Sequence, residues 1–382
     1  MCNPLLPTFF CLLLLFIPDG MVSAAAPGRG MATADTGKVN GFNSLARKKI
    51  GAGDYNQALS LSDSARLLSE STGYLKGMAD AFNNSGICYF RQGEMQKAKE
   101  MYARSLEIRI KTGDKAGMAS AYNNLGTLAG SRGDYPEALN NLRKALELRI
   151  AISDKTGAVS LYNNIGNIER LRSNYDEALN YYRQGLSLAE ETGSRNRLSA
   201  FHLNIGNIYN KRGDDPEALA SYQSALRIAT EAGDKETMAL SYHNIGRIFS
   251  TRGNYPEAMR YFTTGLQIRE EMGAKPEIAR SMDIIASLLA SQLNYNDAFI
   301  MFQKSMKIKE EAGDRVGIAH SLMLTGNLHA SAGNMEQALQ HHRTALKIGE
   351  EIGDKETTAL ALDALGEDFR KSGLDKIGRA HV

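Results

Sequence analysis

The side chains best placed to do chemistry in this chain are carboxamides. Asn83–Asn84, Asn123–Asn124 and Asn163–Asn164 recur forty residues apart, Asn204 and Asn244 continue the second member of each pair, and Asn167 and Asn207 follow three residues later. His243 and Arg247 then take over the neighbouring positions. A carboxamide both donates and accepts, so a row of them suits the backbone of an extended peptide whatever its side chains are. Asparagines in helical hairpins also bond a neighbouring helix or its open carbonyls, and any single one is open to that reading. The set argues for a binding role, because it lapses at Ile284 and Leu324, with Asp283 and Met323 beside them; a purely structural role has no reason to stop there. The expectation is a polar, peptide-binding face over residues 80–250 that turns more apolar towards the C-terminal end. Its candidate residues are Asn83, Asn84, Asn123, Asn124, Asn163, Asn164, Asn167, Asn204, Asn207, His243, Asn244 and Arg247, with Tyr122, Tyr162 and Tyr242 mostly in the core.

Other constellations point to packing rather than reaction. His341 and His342 are adjacent, but His342 stands four residues after Ala338, at a core position, so no metal is expected there. Cys88 lies on an apolar helical face, away from Cys2 and Cys11 near the N-terminus, and reads as a small buried hydrophobe. The acidic pairs Glu190–Glu191, Glu270–Glu271, Glu310–Glu311 and Glu350–Glu351 lie near Arg195, Lys275, Arg315 and Lys355, and read as a solvated edge. The sequence contains no phosphate-cradling glycine loop, metalloprotease helix or serine elbow, so we expect no catalysis and no cofactor. The formal net charge of +2 gives no reason to expect nucleic acid.

The elements that position these residues repeat with a period of forty from about residue 39. Turns fall at Gly53, Gly93, Gly133, Ser173, Gly213, Gly253, Leu293 and Gly333, each followed five residues later by alanine, from Ala58 and Ala98 through Ala338. Each unit reads as two helices: Tyr122, Leu125 and Gly126 share one helical face, and Ala138, Leu142, Ala145 and Leu146 share another. Gly133 supplies a left-handed stop, and Asp134 with Glu137 forms a capping box, Pro136 being tolerated in the first turn. The same box is expected at Asp214 with Glu217 and at Asn254 with Glu257, and in shifted form at Asp176. A second turn, Thr112 to Lys115, closes each unit and caps the next. The glycine equivalents of Gly126 are expected to face the small Ala138-type residues, so that paired backbones approach closely. The fold class is therefore all-α, an array of antiparallel helix pairs.

The pattern Tyr-x-x-Leu-Gly followed by Ala-x-x-x-Leu and a further Ala resembles the tetratricopeptide repeat. The forty-residue unit is similar to the extended repeats of kinesin light chains, of G-protein-modulating spindle adaptors and of bacterial sensor proteins. The resemblance covers residues 39–375, about eight repeats plus a partial one. It implies a right-handed superhelical solenoid whose first helices line a concave groove, and a non-catalytic scaffold for a protein or an extended peptide. In the bacterial proteins such an array often precedes a membrane helix and a histidine kinase or transcriptional output. The alternative function is thus the sensory region of a signalling protein.

The two ends read differently. Phe9–Ile17 is an apolar run too short to span a bilayer, followed by Pro18, Gly20 and small residues, which reads as a signal peptide over residues 1–24. Residues 25–38 read as a flexible leader. Export to the periplasm or medium is the expectation; translation from Met31 would give a cytoplasmic protein instead. No other membrane insertion is expected. The tail 376–382 is one that codons of a common sequencing adapter would spell, so the natural sequence is expected to end near Asp375 and the true protein to continue differently.

Overall fold

The computed structural model describes residues 29–372. The expected signal peptide and the anomalous tail lie outside the described residues. The chain divides after Thr112 into two compact units. The first unit contains α1 (Arg29–Gly51), α2 (Tyr55–Thr72), α3 (Leu75–Arg91) and α4 (Met95–Thr112). The second contains α5 (Lys115–Ser131), α6 (Tyr135–Ala151), α7 (Lys155–Leu171), α8 (Tyr175–Glu191), α9 (Arg195–Arg212), α10 (Asp215–Ala232) and α11 (Lys235–Thr251). It continues with α12 (Tyr255–Met272), α13 (Lys275–Ser291), α14 (Tyr295–Ala312), α15 (Arg315–Ser331), α16 (Met335–Ile352) and α17 (Lys355–Lys371). Among the described residues every regular element is a helix. Within each unit a helix packs mainly on its neighbours in sequence, as expected of an all-α repeat array.

One expectation is corrected at the start. Residues 29–38, read as part of a flexible leader, are helical and form the first part of α1. Val39, next in line, is fully buried, and its contact with α2 and α3 gives that turn a reason to be ordered.

The turns follow the sequence closely. Gly133 takes φ +79° and Gly213 φ +81°, as a left-handed helix stop requires. Where glycine is replaced the backbone still goes there: Ser153, Ser173 and Leu293 have φ of 56°, 63° and 61°. The repeat geometry therefore overrides residue preference at three turns. Asp134 accepts from the Glu137 amide at 3.1 Å, and Asn254 from that of Glu257 at 3.4 Å. Asp214 stands at the cap of α10 but makes no side-chain cap bond, and Asp176, inside the first turn of α8, instead accepts from Arg212 at 2.6 Å. The second turns are capped as expected, Asp114, Asp154 and Asp314 accepting from the amides of Gly117, Gly157 and Gly317.

The interior glycines make room for a ring more than for alanine. A Cβ at Gly206 would lie 2.7 Å from Cε1 of Tyr222, and one at Gly246 2.8 Å from the ring of Phe262. At Gly326 the occupant is His342, which is fully buried with Nδ1 2.6 Å from Asp368 Oδ2 and Nε2 3.2 Å from the Met323 carbonyl, tying α17 to α15 and α16. The expected acidic edge is present with different partners. Glu191, Glu271, Glu311 and Glu351 pair with Lys155, Lys235, Lys275 and Arg315, each thirty-six residues earlier. Each cation opens the first helix of a repeat and meets the end of the second helix of the same repeat, all at exposed positions, where such pairs contribute little.

Candidate binding groove

The carboxamides link successive first helices. In the second unit Asn164 Nδ2 donates to Asn123 Oδ1 at 2.9 Å, and Asn204 Nδ2 donates to Asn163 Oδ1 at 2.9 Å. One step further Asn244 Nδ2 donates to Asn207 Oδ1 at 3.2 Å, because His243 and Leu203 replace the usual first members of the pair. Asn207 Oδ1 also accepts from Tyr222 at 2.9 Å, and Asn167 Oδ1 from Tyr182 at 2.7 Å. Asn123, Asn124, Asn163, Asn164, Asn167, Asn204, Asn207, His243 and Asn244 are half-buried, and Arg247 is exposed. Each of these Asn–Asn bonds uses one of two amide hydrogens on a half-buried donor, which leaves the second free of that tie.

In the first unit the outcome differs within one pair. Asn83 is half-buried, but Asn84 is 1 % exposed, donating to Asn43 Oδ1 at 3.1 Å and to the Asn43 carbonyl at 3.3 Å. Asn43 in turn donates to the Gly77 carbonyl at 2.9 Å. Asn84 is therefore a packing residue and not a groove residue: its amide is sealed from solvent and its Nδ2 is engaged by Asn43. The expectation for Tyr122, Tyr162 and Tyr242 is met in part. All three are half-buried, Tyr122 and Tyr162 packing on the α6–α7 core and Tyr242 lying 6.0 Å from the Tyr261 ring.

Towards the C-terminal end the cleft carries buried charges beside its apolar lining. Ile284 and Leu324 pack into core clusters, which removes them from the wall. Asp283, at the repeat position of Asn163, is 4 % exposed and accepts from Lys309 at 2.5 Å and from Ser321 at 3.4 Å. Lys309, 7 % exposed, reaches in from α14 and also donates to Ser321 at 2.5 Å. Together with Arg280 of α13, His320 of α15 and Leu360 of α17 they line a cleft of about 390 Å³. Three first helices share this wall, and exact repeat spacing puts the asparagine rows on the same helical face.

Sequence reasoning passed over the cations of the second helices. Arg109, Arg149, Arg269 and Lys309 occupy one repeat position, where Ala189 and Ala229 stand elsewhere. The signal was available, since a charged residue at a position that elsewhere tolerates alanine needs a partner.

The titrating groups reflect burial. Burial, reinforced by the positive fields of Arg269, Arg247 and Arg280, pushes the His243 imidazole down to about 4. Burial also lowers His320, which Asp283 opposes and Lys309 assists. The Tyr182 and Tyr222 phenols are pushed up to about 12 by burial.

A helical repeat array with a polar face on its first helices defines a class of repeat scaffold. The tetratricopeptide repeat family model matches residues 42–111, 77–151, 117–191, 196–271 and 277–351, and the chain belongs to this family. No curated protein matches it by sequence. Among solved structures it is similar to a STAND signal-transduction ATPase with a tetratricopeptide repeat sensor from Pyrococcus horikoshii, at 16 % identity and TM-score 0.63, over 86 % of this chain and 50 % of that one. The apo form of RapI matches at 14 % identity and TM-score 0.57, over 72 % of this chain and 98 % of its own. The apo quorum sensor NprR from B. thuringiensis matches at 16 % identity and TM-score 0.54, over 87 % and 98 %. At such identities the likeness shows the fold. Among the described residues no helix is long and apolar enough to cross a membrane.

Proposed function

We propose that this protein is a non-catalytic scaffold that holds an extended peptide or a protein segment against the first-helix face of its second unit. One observation carries the reading: the half-buried asparagines form a regular series, Asn123 to Asn164 and Asn163 to Asn204, with donors and acceptors spaced along one face. The interhelical bonds pre-orient the carboxamides, which lowers the entropy lost when a backbone docks. A Rap protein has been solved in complex with Competence and Sporulation Factor, so a related fold accommodates such an occupant. A second reading, the sensory part of a longer signalling protein, draws on the repeat sensor of the STAND ATPase and on the quorum sensor NprR. We further propose that the protein is exported, on the strength of the apolar Phe9–Ile17 run and the small residues after it.

The test is a phage-displayed library of random dodecapeptides panned on the wild-type protein, followed by affinity measurements on Asn124→Ala/Asn164→Ala/Asn204→Ala. Loss of capture with unchanged far-ultraviolet circular dichroism supports the groove. Equal affinity in the folded triple variant defeats it.

A further inference from the structure

Two imidazoles meet on the α15–α16 hairpin of the second unit. His329, near the end of α15, and His341, on α16, are both half-buried, with ring centroids 5.1 Å apart and ring planes 34° apart. The adjacent His342 is not part of the pair: it turns into the core against Asp368, while His341 meets His329. Eighty residues earlier the same two repeat positions hold Phe249 and Tyr261, whose rings stack 5.5 Å apart at 7°. Carbon rings therefore satisfy the packing at this place in the repeat. The α15–α16 hairpin replaces both with rings that carry nitrogen, closer together and out of parallel.

The nitrogens are set for a ligand. His341 Nδ1 lies 2.8 Å from the Gln337 carbonyl, which can only accept, so the neutral ring carries its proton on Nδ1 and its lone pair on Nε2. Such a backbone tie is the outer-shell contact that orients a metal-bound imidazole. Among the described residues neither ring nitrogen of His329 has a hydrogen-bond partner, and the ring is held by an edge contact with Phe299, centroids 5.7 Å apart. Burial lowers the pKa of His329, and the charge of a protonated His341 lowers it further, which favours the neutral form a metal needs. A zinc-type ion binds an imidazole nitrogen at about 2.1 Å, which places each ring centroid about 3.2 Å away; centroids 5.1 Å apart then subtend about 105° at the ion, close to the tetrahedral angle. His341 also lines a cleft of about 340 Å³ with Phe299 and Met306, whose charged members Lys307 and Glu310 cancel, so a small cation has a way in.

The geometry points to a transition-metal site on the α15–α16 hairpin, in which His329 and His341 together chelate one divalent cation of the copper, nickel or zinc class and water fills the remaining positions. Imidazole suits these ions, whereas magnesium and calcium require oxygen ligands. The bound ion ties the end of α15 to α16, beside the His342–Asp368 contact that holds α17, so loading stabilises this end of the described array. The site is independent of the peptide-binding reading.

The test is isothermal titration calorimetry of the untagged full chain with nickel(II) and zinc(II) chlorides, with magnesium chloride as the control ion, and thermal melts followed by circular dichroism. His329→Gln and His341→Gln each remove one ligand. The double change His329→Phe/His341→Tyr removes both but restores the ring pair seen at Phe249 and Tyr261, so it is expected to fold. Nickel and zinc are expected to bind the wild type at this site, to weaken roughly tenfold or more in each single variant, and to lose that site in the double variant. Saturating zinc is expected to raise the melting temperature of the wild type and not that of the double variant. Equal metal affinity in the wild type and the folded double variant, dependence on only one of the two histidines, magnesium binding as well as zinc, or no nickel or zinc bound by the wild type overturns the site.

Discussion

Replacing Asp283 by asparagine tests whether the charged cleft of the second unit is a built feature. Lys309 is 7 % exposed and its ammonium has two short bonds, to Asp283 and Ser321. Asparagine preserves the volume and one acceptor but leaves the buried ammonium without its counter-charge. Breaking a buried pair from one side costs about 3–5 kcal/mol, and the retained acceptor favours the lower figure. With a urea dependence of about 2 kcal/mol per molar, a 3 kcal/mol loss lowers the midpoint by about 1.5 M. The block that shifts is the one containing α13 to α15, since repeat arrays unfold by local stacks. The assay is urea unfolding followed by circular dichroism, with Asp283→Leu/Lys309→Met as the companion. That double change is expected to restore most of the midpoint, because well-packed apolar residues replace a buried pair at little net cost. A shift below about 0.3 M in Asp283→Asn, or a double variant as unstable as the single one, would refute the argument.

Other outcomes follow from particular contacts. Gly206→Ala places a Cβ 2.7 Å from the fully buried Tyr222 ring, so overpacking of about 1–3 kcal/mol outweighs the gain of about 1 kcal/mol in helix propensity; calorimetry should show a lower melting temperature. Leu293→Gly relieves a left-handed leucine whose side chain is 72 % exposed, and is expected to stabilise by about 1 kcal/mol in the same measurement. His243 is held below its ordinary value of 6.5, to about 4, so the unfolded chain binds the extra proton first. Its contribution to stability is complete above pH 6.5 and is lost as pH falls towards 4, a slope that thermal melts should find reduced in His243→Gln. Cys88 is fully buried with its thiol pushed up to about 11, so iodoacetamide at neutral pH should label it only in denaturant, as mapped by mass spectrometry.

From residue 39 onward the turns between helices were legible in the sequence, whereas the helical start of α1 at Arg29 was not. Backbone stops and caps depend on residues three to five positions apart, so Gly133, Asp134 and Asp154 declare themselves locally. A forty-residue period then repeats that local information down the chain. Even Ser153, Ser173 and Leu293, poor choices for positive φ, could be placed from the turns on either side.

The site was legible only as a face. Asparagine at a given register says which side of a helix it occupies, not what it meets. Asn84 is sealed by Asn43, whereas Asn164, at the same repeat position, bonds Asn123 and stays half-exposed. Arg269 and Lys309 occupy equivalent places, yet only one finds a carboxylate, because His243 stands where the next repeat has Asp283. Thus the sequence by itself determined the helices, their period and the polar side of each. Tertiary structure alone decided which amides are closed off and which cation lacks a counter-charge. The physical reason is reach: caps and turns are settled within one helical turn, while the partners of Asn84, Lys309 and Arg269 lie twelve to forty-one residues away and meet them only when successive repeats stack.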